Sequence, residues 1–211
     1  MKNLVIIGAG GCGRELLQIA KDINKIEMKW NIKGFLDYDN TSLLNKICSI
    51  SIIGNDESYC ISDDDDFVCG IGDSVLREKI INKLSKKGAN FVNLIHPTAL
   101  ISETSQIGKA VVVYPYSSIS DNTIIGEGTL VNSHTSIGHD TIIGDYCTIS
   151  SHCDITGRCV VGRGVFFGST SNVVPYTKIG DKSYICAGST VIGKIRSSVK
   201  IMGNPAKIVN F

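Results

Sequence analysis

SIGHDTIIGD, residues Ser136–Asp145, strikes one two-residue beat twice: Ile137-Gly138 and, six residues on, Ile143-Gly144. Counting outward in both directions finds an aliphatic residue or phenylalanine at every sixth position from Ile95 to Val191, seventeen in succession. With 43% of the chain hydrophobic, such a run arises by chance roughly once in a million. Two places before each beat, from Ser105 onward, the side chain is small, as at Ser117, Thr123, Thr135, Thr141, Cys147 and Ser189. A period of six suits neither an α-helix nor a simple strand. It is the mark of a hexapeptide β-helix, in which short strands coil and stack. The large beat residue fills the interior, and the small one lets the wall close beside it. His139-Asp140, between the two beats, is a titratable pair in otherwise small and aliphatic surroundings.

The rest of the composition narrows the field. At 211 residues the chain has room for two small domains or one large one. A net charge of +1 supplies no basic field for nucleic acid or an anionic membrane. The apolar run Leu4–Ile7 is too short for a signal-peptide core, and no stretch reaches the length of a membrane span. A cytoplasmic protein is expected. The eight cysteines contain no CxxC pair. Cys147, Cys153 and Cys159 lie six apart, in step with the repeat, which fits small wall positions better than metal ligands or a disulfide framework. No metal site is expected.

Ahead of the repeat the pattern changes. Residues 2–7 read as a buried strand, followed by Gly8-Ala9-Gly10-Gly11-Cys12-Gly13 and a helix over 14–24. Strands are expected over 32–37 and 67–71, a second helix over 75–87, and a solvated loop at Asp63–Asp66. Alternating β and α elements imply a parallel sheet covered by helices, a small Rossmann-like domain. GxGxxG between a strand and a helix is a phosphate fingerprint, with helix N–H groups facing the anion. Some ninety residues hold one mononucleotide half rather than the two that a dinucleotide spans. A nucleoside diphosphate is therefore preferred to NAD, with a ligand-free glycine turn as the bland reading. Gly10, Gly11, Cys12 and Gly13 form the candidate loop. Asp37 either accepts from a ribose or base or is a plain turn residue. Gly72, opening the second helix, could close the far side, with Arg77 near the phosphates.

The coil resembles the left-handed parallel β-helix of hexapeptide-repeat acyltransferases, in which three hexads make one triangular turn. Residues eighteen apart then stack in a column, about 4.8 Å from one another. Taken whole, the chain resembles the sugar-nucleotide acetyltransferase family, which includes bacillosamine and perosamine N-acetyltransferases and sialic-acid O-acetyltransferases. The resemblance runs through GAGGCGRE, GFLD, GIGDSVLR, IHPTA, VNSHTSIGHDTIIGD, AGSTVIG and the tail Gly203–Lys207. It implies a homotrimer that moves acetyl from acetyl-CoA, a co-substrate rather than a bound cofactor, to an amine or hydroxyl of a sugar. Domains of 1–94, 95–194 and a tail of 195–211 on the CoA side are expected.

The resemblance places the catalytic histidine at His139, a base for the acceptor group, with Asp140 orienting it. An unperturbed imidazole, pKa about 6.5, is largely unprotonated at neutral pH and suited to that work. It also implies a backbone N–H of Gly157 on the thioester oxygen, or else a bland turn glycine there. Asn132 faces the acceptor sugar by the same comparison. Thr148, Ser169, Ala187 and Lys207 fall at acetyl-CoA positions. Two departures stand out: Cys12 replaces a loop histidine, and Thr148 replaces a second active-site histidine of some relatives. His134 and His152, eighteen apart, form either a neutral surface ladder or a strip facing a neighbouring subunit. The leading expectation is N-acetylation of a nucleotide-linked 4-amino-dideoxy sugar. O-acetylation is the nearest alternative, and a non-catalytic β-helix module the one from another class.

Overall fold

The computed structural model describes residues 1–209 and divides into two units, one from Met1 to Pro97 and one from Thr98 onward. The expected tail reading extends to 211, and its last two positions lie outside the described residues.

The first unit is a five-stranded parallel sheet. Its elements are β1 (Lys2–Ile7), α1 (Gly11–Ile26), β2 (Trp30–Leu36), β3 (Ile52–Gly54), β4 (Asp65–Cys69), α2 (Ser74–Lys86) and β5 (Asn90–Phe91). The strand order is β3-β2-β1-β4-β5, so the order reverses between β1 and β4. Ligands of open α/β sheets gather outside the carboxyl ends of the strands at such a switch point. The loop Gly8–Gly10 emerges there. Leu16, Leu17, Ile19 and Ala20 bury one stripe of α1, as a helix covering a sheet requires.

Here the structure corrects several expectations. α1 begins at Gly11, three residues earlier than its apolar pattern shows, because the glycine turn itself supplies the first helical turn. β3 and β5 are too short to announce themselves by periodicity. Asp63–Asp66 is not all solvated loop, since Asp65 and Asp66 open β4 and are buried. Asp65 accepts from Asn3, Tyr59 and Lys33, and Asp66 from Lys2, Asn90 and the Trp30 indole. Buried carboxylates survive only with partners of this kind.

The second unit is a left-handed parallel β-helix, and every strand pairs in register with the strand one turn on, as in Ile119↔Ile137↔Ile155. Three faces result, carrying Ser136–Ile137, Ile142–Ile143 and Thr148–Ile149 respectively. The beat residues from Val113 to Val191 are buried, while Ile101 and Ile107 in the first turn are only half-buried.

The small residues do more than fit. Thr123, Thr129, Thr135 and Thr141 each donate a hydroxyl to the carbonyl fifteen residues on, at Gly138, Gly144, Ser150 and Thr156. Cys147, Cys153 and Cys159 repeat the contact with their thiols, to Gly162, Gly168 and Val174. The cysteines are wall positions, as the spacing implied. Three places after each beat, Tyr116, Asn122, His134, Asp140, Tyr146, His152 and Arg158 hold left-handed φ near +60°. Each makes a corner of the triangle.

The period fails at the end of the coil. Ile195 pairs with Ile179 and Ile201 with Ile185, sixteen residues rather than eighteen. The chain then turns back, and Ala206–Ile208 runs antiparallel to Lys200–Gly203, covering that sheet edge. Among the described residues no helix is long and apolar enough to cross a membrane.

Candidate functional site

His139 and Asp140 occupy the corner between the first and second faces of the coil. The backbone stacks there in columns: Asp140 N–H donates to Asp121 O, and Arg158 N–H to His139 O. Asp140, at φ +57°, is in the left-handed conformation that aspartate tolerates better than most residues. Its carboxylate turns back onto the imidazole, with Oδ2 2.8 Å from Nδ1. An ionised carboxylate only accepts, so Nδ1 carries the proton and Nε2 keeps its lone pair. The His139 N–H and, with burial acting the other way, the nearby Arg158 guanidinium hold the Asp140 carboxyl below its ordinary range.

The ring lies over the next turn of the column. A Cβ on Gly157 would stand 2.7 Å from Nε2 and 2.9 Å from Cε1 of His139, closer than real Cβ atoms approach. Glycine is the residue that leaves room for the ring. Among the described residues the Gly157 N–H is unspent, as are the N–H groups at the equivalent coil positions Asp121, His139, Ser151 and Ser169. At a neighbouring corner the equivalent N–H groups of Glu127 and Arg163 donate to the carboxylates of Asp145 and Asp181, eighteen residues on. Eighteen residues from Gly157 stands Pro175, whose side chain offers no acceptor. Among the described residues none accepts from the Gly157 N–H. A base nitrogen and an unspent backbone donor thus stand side by side.

The next column extends the pair in a way the sequence reading missed. Arg158 approaches Asp140 with Nε 3.5 Å from Oδ2 and donates from its guanidinium to the Tyr176 hydroxyl at 2.6 Å. Asp140, Arg158 and Tyr176 are eighteen apart, so the count that places Gly157 would have found them. They carried no signal because arginine and tyrosine are ordinary surface residues.

The remaining coil residues sit elsewhere. Ser169 and Ala187 share the preceding corner, where Gly188 N–H donates to Ser169 O. Tyr116, His134 and His152 stack along that same corner with ring centroids 5.1 and 4.8 Å apart. Asn132, also beside that corner, spends its amide on the Ile149 carbonyl at 3.2 Å. Thr148 is buried on the third face, and Lys207 is exposed on the returning strand opposite Met202. Adjacent corners are six residues apart, on the order of 15–20 Å. One chain therefore does not bring Ser169 and Ala187 to His139.

In the first unit the glycines divide by role. A Cβ at Gly13 would collide with the Gly8 carbonyl, and one at Gly70 with the Gly13 backbone, so these two let helix and strands pack. A Cβ at Gly10, Gly11 or Gly72 meets nothing within 4 Å. Asp37 Oδ2 accepts from Ala9 N–H at 2.7 Å, tying the end of β2 to the glycine turn. Cys12 follows Gly11 in the first turn of α1, whose N-terminus has no side-chain cap. The N-terminus of α2 is different, because Asp73 caps it by accepting from Leu76 N–H at 2.7 Å. Arg77 is wholly buried and donates to the carbonyls of Ile71 and Gly72. The Arg77 guanidinium thus closes this turn from within, and of the two helices α1 is the one whose N-terminus lacks a side-chain cap.

A small parallel-sheet unit with an open glycine turn, followed by a hexapeptide coil carrying an imidazole beside an unspent N–H, is the architecture of hexapeptide-repeat acyltransferases. Residues 3–84 match the PglD N-terminal domain and residues 91–184 the GMPPB C-terminal domain. Perosamine N-acetyltransferase from Caulobacter crescentus, solved with CoA and GDP-perosamine in a histidine-to-asparagine form, is 26% identical; the match covers 100% of this chain and 98% of that one at a TM-score of 0.90. The acetyltransferase domain of PglB from Neisseria gonorrhoeae shares the fold at 23% identity and TM-score 0.91, covering 99% of this chain and 100% of that one. Residues 3–84 are thus similar to a PglD-type domain, and the chain as a whole is similar in fold to perosamine N-acetyltransferase.

Proposed function

We propose that the protein transfers acetyl from acetyl-CoA to the amino group of a nucleotide-linked amino sugar, with His139 as the base. The observation that carries this reading is the corner itself: Nε2 of His139 free beside a Gly157 N–H that has no acceptor. The acceptor nitrogen attacks the thioester carbon and gives its proton to Nε2. The carbonyl oxygen, now an oxyanion, takes the Gly157 N–H. Collapse breaks the carbon–sulfur bond, and the departing thiolate receives the proton held by the imidazolium. Asp140 keeps the ring oriented and favours its charged state. Arg158, paired to Tyr176, holds Asp140 in place.

The other candidate residues fit this reading only if chains assemble. Ser169, Ala187 and the His134–His152 ladder lie on a different corner from His139, so a CoA groove uniting them needs a second copy. The second face supports that arrangement. Its outward residues Ile124, Ile142 and Val160 are each about two-fifths exposed, an apolar stripe beside the His139 corner. A homotrimer of parallel coils would cover it. The nucleotide lies on the open N-terminus of α1, along Gly10, Gly11 and Cys12.

The test is a screen of UDP-, dTDP- and GDP-linked amino sugars with acetyl-CoA, read by thiol release. With the best acceptor, His139→Ala loses the base contribution, about 10²–10⁴-fold. Raising the pH partly restores that variant with an amine acceptor, since more free amine is deprotonated. A hydroxyl acceptor gives no such rescue and would make the protein an O-acetyltransferase. Near-wild-type turnover by correctly assembled His139→Ala would overturn the mechanism.

A further inference from the structure

At the His139 corner the left-handed positions stack as Asn122, Asp140, Arg158 and Tyr176, one per turn of the coil. Oδ2 of Asp140 is approached from two sides. His139 Nδ1 stands 2.8 Å from it and Arg158 Nε 3.5 Å. One of these partners is a permanent cation, because arginine never deprotonates in proteins. The other becomes a cation only while it holds the proton it has taken. Tyr176 fixes the permanent one, with its hydroxyl accepting from the guanidinium at 2.6 Å and its ring centroid 5.6 Å from the guanidinium carbon.

The two partners act on the imidazole with opposite sign. A carboxylate beside the ring favours its protonated form, and a second cation at the same oxygen disfavours it. A base that passes its proton on to the departing thiolate works best when poised near the working pH. Asp140 alone biases the ring toward keeping the proton, and Arg158 offsets that bias. The remaining charged groups around this corner are Asp121, one turn earlier, whose carboxylate takes the Ser102 hydroxyl, Asp154 on the first face and Lys178 on the second. Among the described residues none of those three forms an ion pair with Asp140 or Arg158.

We propose that Arg158, braced by Tyr176, is a positioning residue that sets how tightly His139 holds its proton, by sharing Asp140 with the imidazole. The inference rests on reading His139 as the base, and it adds what keeps that base in its working form. An arginine over a tyrosine can also be surface packing, as Arg163 over Tyr146 is at the next corner. Packing alone leaves the pH dependence of the imidazole unchanged, so pH is the variable that separates the two.

Two measurements on the full-length protein test this. One is the pH dependence of kcat/KM with acetyl-CoA and the best acceptor of the screen. The other is the NMR titration of the His139 Cε1–H signal, assigned by its loss in His139→Ala, which reads the imidazole whether or not it is the base. The side chains of His139, Asp140 and Arg158 are each about half exposed, so solvent screens their coupling. In Arg158→Gln the acid limb of the rate profile and the imidazole titration are expected to move up together by about half a pH unit, a roughly threefold loss of rate on that limb. High salt shrinks the difference. Arg158→Lys keeps the charge and returns both most of the way. Tyr176→Phe loses only the hydroxyl and moves both the same way by less, and it serves as the second variant if Arg158→Gln fails to fold. An imidazole titration that stays put in Arg158→Gln, or moves equally far in Arg158→Lys, overturns the inference and leaves the base assignment standing. An imidazole that moves while the rate profile does not supports the inference and overturns His139 as the base.

Discussion

At the His139 corner a glycine and an imidazole are packed one turn apart. Gly157 serves twice, giving the ring a seat and holding an N–H that the coil itself never uses. Gly157→Ala separates those roles from overall stability. The added methyl must displace the imidazole, so acetyl transfer is expected to fall about 10²-fold or more while the coil stays folded. Unchanged kcat would mean that the ring's position over Gly157 is immaterial. Asp140 makes a second test. Its carboxyl is held down chiefly by the His139 N–H, so the contact is present through the ordinary carboxylate range and lost only as pH falls through a lower value. Followed by carbon NMR, Asp140 should titrate below about 3.9 and move upward in His139→Ala. No movement would contradict the pairing.

At the scale of elements, the coil was readable because its rule is local. A large residue every six and a small one two places before it are both visible in one dimension, and the columns follow by counting. Where pairing rather than period decides, the reading failed. Asp65 and Asp66 look like loop until Asn3, Trp30, Lys33 and Asn90 arrive from other strands to satisfy them. Arg77 reads as a free cation beside a glycine turn, yet its guanidinium is buried and donates to the carbonyls of Ile71 and Gly72. GxGxxG cannot say which of its glycines packs and which faces a ligand. Coordinates divide them, Gly13 against Gly8 and Gly11 into open space. Gly11→Val should therefore keep the fold and the coil's CoA binding while weakening the nucleotide-linked acceptor about tenfold or more, since a β-branched side chain blocks the approach of a phosphate to backbone. Unchanged nucleotide affinity by calorimetry would move the acceptor away from this loop.

For the whole molecule the decisive fact is that the candidate residues divide between two corners. His139, Asp140 and Gly157 lie on one, Ser169 and Ala187 on another, and an apolar stripe of Ile124, Ile142 and Val160 adjoins the first. No count along one chain could show whether the corners meet, because assembly is not written in a period. The account holds that they meet between copies, with the base from one chain serving acetyl-CoA held by the next. The direct measurement is activity in mixed assemblies of His139→Ala and Ala187→Trp, each inactive alone, after mixed trimers are verified by sedimentation and mass. In a threefold ring mixed at equal ratio, a site with an intact His139 from one chain and an intact CoA corner from its neighbour forms with a chance of one half times one half. The account predicts recovery to about a quarter of wild-type acetyl transfer. Verified mixed trimers that stay inactive would contradict it, and would place the whole site within a single chain.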